Sequence, residues 1–279
     1  MRETPPPDRE SGPSFSQSGE AADPIAMARR DLKKALPRRF YKEAAVQERD
    51  GNFVLLLDGR AAKTPGGNLL AMPTMAAAQA LAAEWSAVGD IIDPAVMPLT
   101  RIVNSAIDGV SGRLVATAAE IAKYAGSDLI CYRAAEPEAL VHAQAAAWDP
   151  ILAFARKKLA APFIYTQGVV FIEQPEAALA AVKRAIAPIV ESGGGAPFAL
   201  AALHVMTTLT GSALLALAVA YGEHTSAEAW RAAHVDEDFE VRTWGEDAEA
   251  MRRRASRWRE MEAAAILWQL TQGGVYTGG

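Results

Sequence analysis

The chain has 279 residues, 51% of them hydrophobic, with 28 Lys and Arg against 33 Asp and Glu for a net charge of −5. This is the composition of a globular protein with ample material for a core, in one or two domains. Its slightly acidic balance argues against a nucleic-acid binder, which shows a basic stripe.

A single cysteine, Cys131, excludes an intramolecular disulfide and fits a reducing compartment. The N-terminus lacks an apolar signal core and carries Glu3, Asp8, Glu10 and Glu20, acids that a transit peptide avoids. The expectation is a cytoplasmic, bacterial protein.

Met1 to about Asp23 is rich in Pro, Ser, Gly and acids and cannot repay its ordering entropy. A disordered tail is expected over 1–30, with a short helix over 24–36 that Pro37 stops. Asp50-Gly51, between two apolar runs, signals a hairpin, and Phe53 to Leu57 reads as a buried strand. Asp58-Gly59 and Pro65-Gly66-Gly67 mark two further turns, so three or four short strands form an antiparallel sheet. Thr74 caps an alanine-rich helix through Trp85. The two prolines of IIDPAVMPL predict an extended segment. Thr100 is then expected to cap a helix to about Asp108, and Ser111 another to about Tyr124.

Beyond that point helices dominate. SDLICYRA, residues 127–134, is ambiguous between a strand and a helix end. Pro137 opens a long helix with Pro150 inside it, and YTQGVVFIEQ has β character without an obvious neighbour. Pro175 to Val190 is an amphipathic helix, and the glycines at 193–195 read as a flexible joint. Pro197 to Tyr221 contains no Lys, Arg, Asp or Glu, so it must be buried in lipid or in protein. Thr207, Thr208, Thr210, Gly211 and Ser212 make a polar knot in its middle. That favours two helices, apolar all round, meeting near Thr210-Gly211 at the centre of a helical domain, with no stable membrane insertion. Ser226 starts another helix. The last helix shows Met251, Ala255, Trp258, Met261, Ala265 and Trp268 at steps of three and four, and GGVYTGG frays. The predicted fold is an α+β N-terminal domain with a small antiparallel sheet over 31–118, followed by an all-α C-terminal domain over 119–279.

A search for chemistry is mostly empty. His142, His204, His224 and His234 form no metal-ligand pattern, and His204 is expected as a hydrogen-bonded core residue. No nucleophile elbow, phosphate loop or dinucleotide fingerprint is present, and Cys131 reads as a small core residue. No cofactor and no metal is expected. LDGRAAKTPGG could hold an anion through Arg60 and Lys63, although turn chemistry accounts for its glycines and proline. DEDFEVRTWGED, residues 236–247, crowds Asp236, Glu237, Asp238 and Glu240 before Trp244-Gly245 and Asp247. Two readings stay open for it: a solvated helix start balanced by the Arg252–Arg254 group, or a docking surface for a basic partner. A third, a small-molecule hydrolase using acids near Glu237 and Glu240 with a basic loop near Arg60, lacks any surrounding site.

Taken together, FYK at 40–42, LDGRAAKTP at 57–65, AAEWSAVGDIIDPAVMPLTRIVNSAID at 82–108, SDLICYRA, the WDP at 148–150 and DEDFEVRTWGED resemble the ATP synthase assembly chaperones that bind the unassembled α subunit. The resemblance covers about residues 38 to 250. It implies a non-enzymatic protein with an N-terminal β-containing part and a C-terminal helical part. The implied role is to hold free α subunit and shield its β-facing surface until β displaces the chaperone, with the chaperone monomeric when free. It also implies that an acid in the last motif matters, for which Glu240 and Glu237 are the candidates. The expected partner-binding residues are Glu240, Glu237, Asp236, Trp244 and Asp247, with Arg60 and Lys63 on the turn loop.

Overall fold

The computed structural model describes residues 36–168 and 170–271. The expected tail over 1–30, the helix over 24–36 save its last residue, and the terminal glycines lie outside the described residues. Strands β1 (Ala44–Arg49) and β2 (Asn52–Leu57) form the expected hairpin, with Ala44 opposite Leu57 and Arg49 opposite Asn52. Asp50 and Gly51 both take positive φ, 52° and 75°, the twist that a two-residue turn needs to match its strands. Asp58-Gly59 turns the chain the same way into β3 (Arg60–Ala61), and β4 (Ala71–Met72) pairs with the far end of β2. All pairings in this four-stranded sheet are antiparallel. Val54, Leu55 and Leu57 are buried. Against the sheet lies α1 (Met75–Ser86), which buries Ala77, Ala78, Leu81 and Ala82. Thr74 caps it, accepting from Ala77 N at 3.2 Å, and its hydroxyl donates to Leu270 O at 2.7 Å near the end of the chain.

The next segment departs from expectation in three places. IIDPAVMPL is not extended throughout. Asp93 accepts from Ala95 N at 2.9 Å and opens a short 3₁₀ turn, Pro94–Val96. Helix α2 (Pro98–Ser105) begins before Thr100. Its cap is Glu84 of α1, which accepts from Leu99 N at 2.9 Å, Thr100 N at 2.7 Å and Thr100 Oγ1 at 2.5 Å. α2 then widens into a π turn over Ala106–Val110, closed by Ser111, whose N–H and hydroxyl both donate to Ala106 O at 3.0 Å. Ser111 is thereby engaged, and α3 (Leu114–Tyr124) starts after Arg113. Within the π turn, Asp108 reaches back to the sheet loop and accepts from Thr64 Oγ1, Asn68 Nδ2 and Gly66 N at 2.6, 2.8 and 2.8 Å. These bonds hold its carboxyl below the usual range. A Cβ on Gly66 would stand 2.6 Å from Asp108 Oδ1, so a side chain there would push this carboxylate off its bonds to the loop.

The remainder is helical: α4 (Glu138–Lys158), α5 (Glu176–Val190), α6 (Ala196–Thr210), α7 (Ala213–Ala220), α8 (Ser226–Ala233), α9 (Val235–Trp244) and α10 (Ala248–Thr271). SDLICYRA resolves into a 3₁₀ turn, Leu129–Cys131, followed by β5 (Tyr132–Arg133). β5 supplies the neighbour that YTQGVVFIEQ lacked, pairing in parallel with β6 (Thr166–Gln167). The glycines at 193–195 form a 3₁₀ turn, and Thr225 with Glu228 makes a capping box ahead of α8.

The uncharged run is the centre of the fold. α6 packs against α2, α3, α5, α7, α8 and α10, and α7 is buried at every position. Gly211 turns the chain between them at φ 67°, a left-handed conformation that suits glycine. The polar knot is satisfied internally. Thr207 and Thr210 donate to Leu203 O and Met206 O at 2.8 Å, and Ser212 Oγ accepts from Leu215 N at 3.0 Å. Asp128 is fully buried and accepts from Leu214 N at 3.0 Å and Ile130 N at 3.4 Å. Burial pushes its carboxyl up to about 6, against the pull of those bonds and of Ser212. Among the described residues no single helix is long and apolar enough to cross a membrane. α5 together with Gly193–Thr210 passes that test only as a pair bent by 112°.

Two expectations about these helices need correction. α6 is not buried all round: Thr208 is exposed, and His204 is partly exposed with Nε2 3.7 Å from Glu120 Oε2, so it is not a core residue. The stripe on α10 is buried only in its second half, at Met261, Ala265 and Trp268; Met251 and Ala255 are exposed because the first half of α10 runs out beyond the core. From Arg38 onward the chain groups as one compact unit.

Candidate partner-binding site

The acidic helix α9 fully buries none of its residues and packs mainly on α4. Its start is anchored from the inside. His234, just before it, is buried, with Nδ1 2.7 Å from Trp230 O and its ring centroid 3.9 Å from that of Trp230. A carbonyl only accepts, so Nδ1 carries the hydrogen. Burial pushes the imidazole pKa down and keeps the ring neutral. Asp236, Glu237 and Asp238 then fill the first turn, where carboxylates favour the helix dipole.

The acids divide by partner. Asp236 Oδ1 accepts from Gln144 Nε2 at 2.7 Å, and the buried Gln144 also accepts from Ala134 N at 2.7 Å. Asp238 is ion-paired with Arg254 of α10. Asp247 accepts from Glu249 N at 2.8 Å and so opens α10. Glu237 Oε2 lies 3.9 Å from His234 Nε2. Glu240 is exposed and has no hydrogen bond or ion pair among the described residues. Trp244 is 85% exposed, and the chain leaves the helix at Gly245 with φ 93°.

Glu237, Glu240, Trp244 and Asp247 line one cleft of about 260 Å³ with Val241 and Met251. Spacing of three and four along α9 puts 237, 240, 241 and 244 on one side. Asp236 lies at the Gln144 contact. Arg60 and Lys63 are both exposed, on the sheet. β3 packs on β2, and no described bond joins either cation to the acidic helix. Sequence reasoning missed Val241 and Met251. The spacing from Glu237 could have found Val241, whereas Met251 was masked by its place in an apolar stripe. Gln144 carried no signal, because nothing in its local sequence marks it as a bridge.

Among the described residues no group of three or more His, Cys, Asp or Glu could hold a metal ion. The Cys131 thiol is buried and pushed up to about 12 by burial, with Asp128 adding to the effect, which leaves it protonated near neutrality. The arrangement can offer another protein carboxylates next to an exposed indole.

Solved structures place this architecture among chaperones. A candidate chaperone from Agrobacterium tumefaciens is 45% identical over 90% of this chain and 92% of its own, with a TM-score of 0.80. Atp12 from Paracoccus denitrificans is 41% identical over 84% of this chain and 98% of its own, with a TM-score of 0.76, and an Asp-to-Lys variant of it matches at 0.75. The fold, a small antiparallel sheet with helices followed by a helical body, is therefore a chaperone fold. Residues 38–156 also match the family model described as ATP12 chaperone protein. The chain belongs to the ATP12 chaperone family.

Proposed function

We propose that this protein is an assembly chaperone for the ATP synthase catalytic sector. It binds the free α subunit and shields its β-facing surface until β displaces it. Family membership supports this reading, and so do the residues of the quoted motifs. The observation that carries it is the contrast within the acidic segment. Asp236, Asp238 and Asp247 are engaged inside the molecule, while Glu240 and Trp244 stand exposed at one cleft.

A free subunit exposes apolar surface that otherwise aggregates. A holdase needs an ordinary interface with an aromatic anchor and a polar rim, and exchange requires that it bind more weakly than the finished assembly does. The sequence carries no nucleotide motif, so the chaperone works by binding alone, in the cytoplasm, without a cofactor and as a monomer when free. The division at 118/119 is part of this proposal as a division of role: the helical part carries the client-facing helix. A hydrolase would need Arg60 beside Glu237 and Glu240, which stand on elements packed against different neighbours.

Co-purification from cell extract tests the reading. Recovery of α subunit without metal or nucleotide supports it, and recovery of a bound small molecule or metal in place of α subunit sinks it.

A further inference from the structure

α9 fully buries none of its residues, and Val235, Phe239 and Val241 are only half-buried, so apolar packing holds it weakly. Its polar ties therefore decide how it is turned about its own axis. Asp236, Glu240 and Trp244 follow at steps of four and make one row along the helix. Whatever fixes Asp236 also fixes the direction in which Glu240 and Trp244 face.

Asp236 is fixed by Gln144. This side chain on α4 is 2% exposed and reaches in two directions. Its Oε1 accepts from Ala134 N and its Nε2 donates to Asp236 Oδ1, both at 2.7 Å. A backbone N–H only donates and a carboxylate only accepts, so a single orientation of the amide satisfies both. Ala134 belongs to the body of the fold. It follows β5, which pairs with β6, and Arg133 before it is buried, with Nε donating to Ile130 O at 2.9 Å. One turn along α4, the buried Trp148 donates through Nε1 to Ala232 O at 2.7 Å, just ahead of α9. Gln144 and Trp148 thus join the start of α9 to α4. From α10 the tie is the partly exposed ion pair of Arg254 with Asp238. Of these ties, the Gln144 bond is the one that meets the row carrying Glu240 and Trp244.

We propose that Gln144 is a positioning residue for client binding. It sets the row on α9 through Asp236, and Asp236 serves as its anchor and not as a contact for the client. This rests on the client-binding reading above and adds to it how the exposed Glu240 and Trp244 are held in place. A helix that is already set loses less freedom when the client docks, which tightens binding without a new contact.

Substitutions separate the bond from the charge. With the full chain and purified ATP synthase α subunit, affinity and amide hydrogen exchange are measured for the parent, Asp236→Asn, Asp236→Ala, Gln144→Met and the double variant Gln144→Met with Asp236→Ala. Asp236→Asn removes the charge but keeps an oxygen for Gln144 Nε2, so affinity should stay within about twofold of the parent. Asp236→Ala removes the acceptor and should weaken binding about tenfold, as loss of a hydrogen bond to a charged group does. Exchange should then quicken over Val235–Trp244 and stay unchanged over α6 and α7. Both variants lose the same first-turn charge, so the helix dipole cancels from the comparison. Gln144→Met keeps the length of the side chain and breaks both bonds. Its loss of affinity should match that of Asp236→Ala, and the double variant should fall no further, because the two residues act through one bond. Parent-like affinity in Asp236→Ala overturns the proposal, and so do additive losses in the double variant. A loss in Asp236→Asn as large as in Asp236→Ala also overturns it, because the client would then meet the Asp236 charge itself. Should Gln144→Met fail to fold, the two Asp236 variants decide alone. Failure of the parent to bind α subunit would instead overturn the client reading, so the two failures are distinguishable.

Discussion

The α6–α7 pair and the acidic helix α9 are opposite solutions to the same accounting of polar groups. In the first, every residue of α7 is buried, and the threonines, Ser212 and Asp128 find their partners within the chain. In the second no residue is fully buried, and Glu240 and Trp244 are left to solvent. A polar group that is satisfied internally contributes to the fold, whereas one left exposed beside an aromatic is available to a partner. Substitutions in the first region should therefore move stability, and those in the second should move binding.

The largest loss of stability is expected in the α6–α7 pair. Leu203→Ala removes a fully buried side chain from the central helix and should cost about 2–5 kcal/mol in denaturant unfolding. A change below about 1 kcal/mol would mean that α6 is not the centre of the core. Asp128→Ala comes next. It strips the N–H groups of Leu214 and Ile130 of their acceptor in a dry site, and should cost about 2 kcal/mol or more. If it melts like the parent, the clasp between the Leu129 turn and α7 is not stabilising.

Asp128 also makes a pH prediction. Its folded pKa of about 6 lies above the ordinary value near 3.9, so the native state holds the proton more tightly. That contribution is fully present below pH about 4 and is lost as pH rises through about 6. Relative to Asp128→Asn, the parent should lose on the order of 1–3 kcal/mol between pH 4 and 7. A constant difference between the two across this range would contradict the assignment. A smaller effect belongs to Arg254→Ala, which frees Asp238 at the junction of the two regions. The pair is partly exposed, so the cost should be about 1 kcal/mol or less in thermal melting. A larger loss would make α9 part of the cooperative core.

What could be read from sequence follows the same division. The hairpin at Asp50-Gly51, the Thr74 cap and the break at Gly211 were legible because their signals are local. Thr100 and Ser111 misled because their expected roles were taken by groups distant in the fold or committed elsewhere. Glu84 caps α2 from α1, and Ser111 closes a π turn. Asp108 similarly reaches back to Thr64, Gly66 and Asn68. These ties give several of the quoted motifs a structural explanation: LDGRAAKTPGG meets NSAID through Asp108, and the glutamate of AAEW meets MPLT. Within the candidate site, the crowding of acids was visible. Their division into engaged and unengaged groups was not, because Gln144 and Arg254 come from elsewhere in the chain. YTQGVVFIEQ announced only its β character, since its parallel partner at Tyr132–Arg133 lies far earlier in the sequence.

The most direct test of the central claim is charge reversal at Glu240, with Glu237→Lys alongside, read in parallel by thermal melting and by suppression of α-subunit aggregation. Glu240 has no internal partner among the described residues, so Glu240→Lys should change stability by less than about 0.5 kcal/mol. Against a client that presents a basic group to it, repulsion replaces attraction and binding should fall by several kcal/mol, on the order of 2–5. The account predicts parent-like melting with suppression lost in Glu240→Lys, and a smaller loss in Glu237→Lys, whose carboxylate lies one turn nearer the anchored start of the helix, 3.9 Å from the ring of the buried His234. Full suppression by both variants would contradict it and return the segment to a solvated helix start.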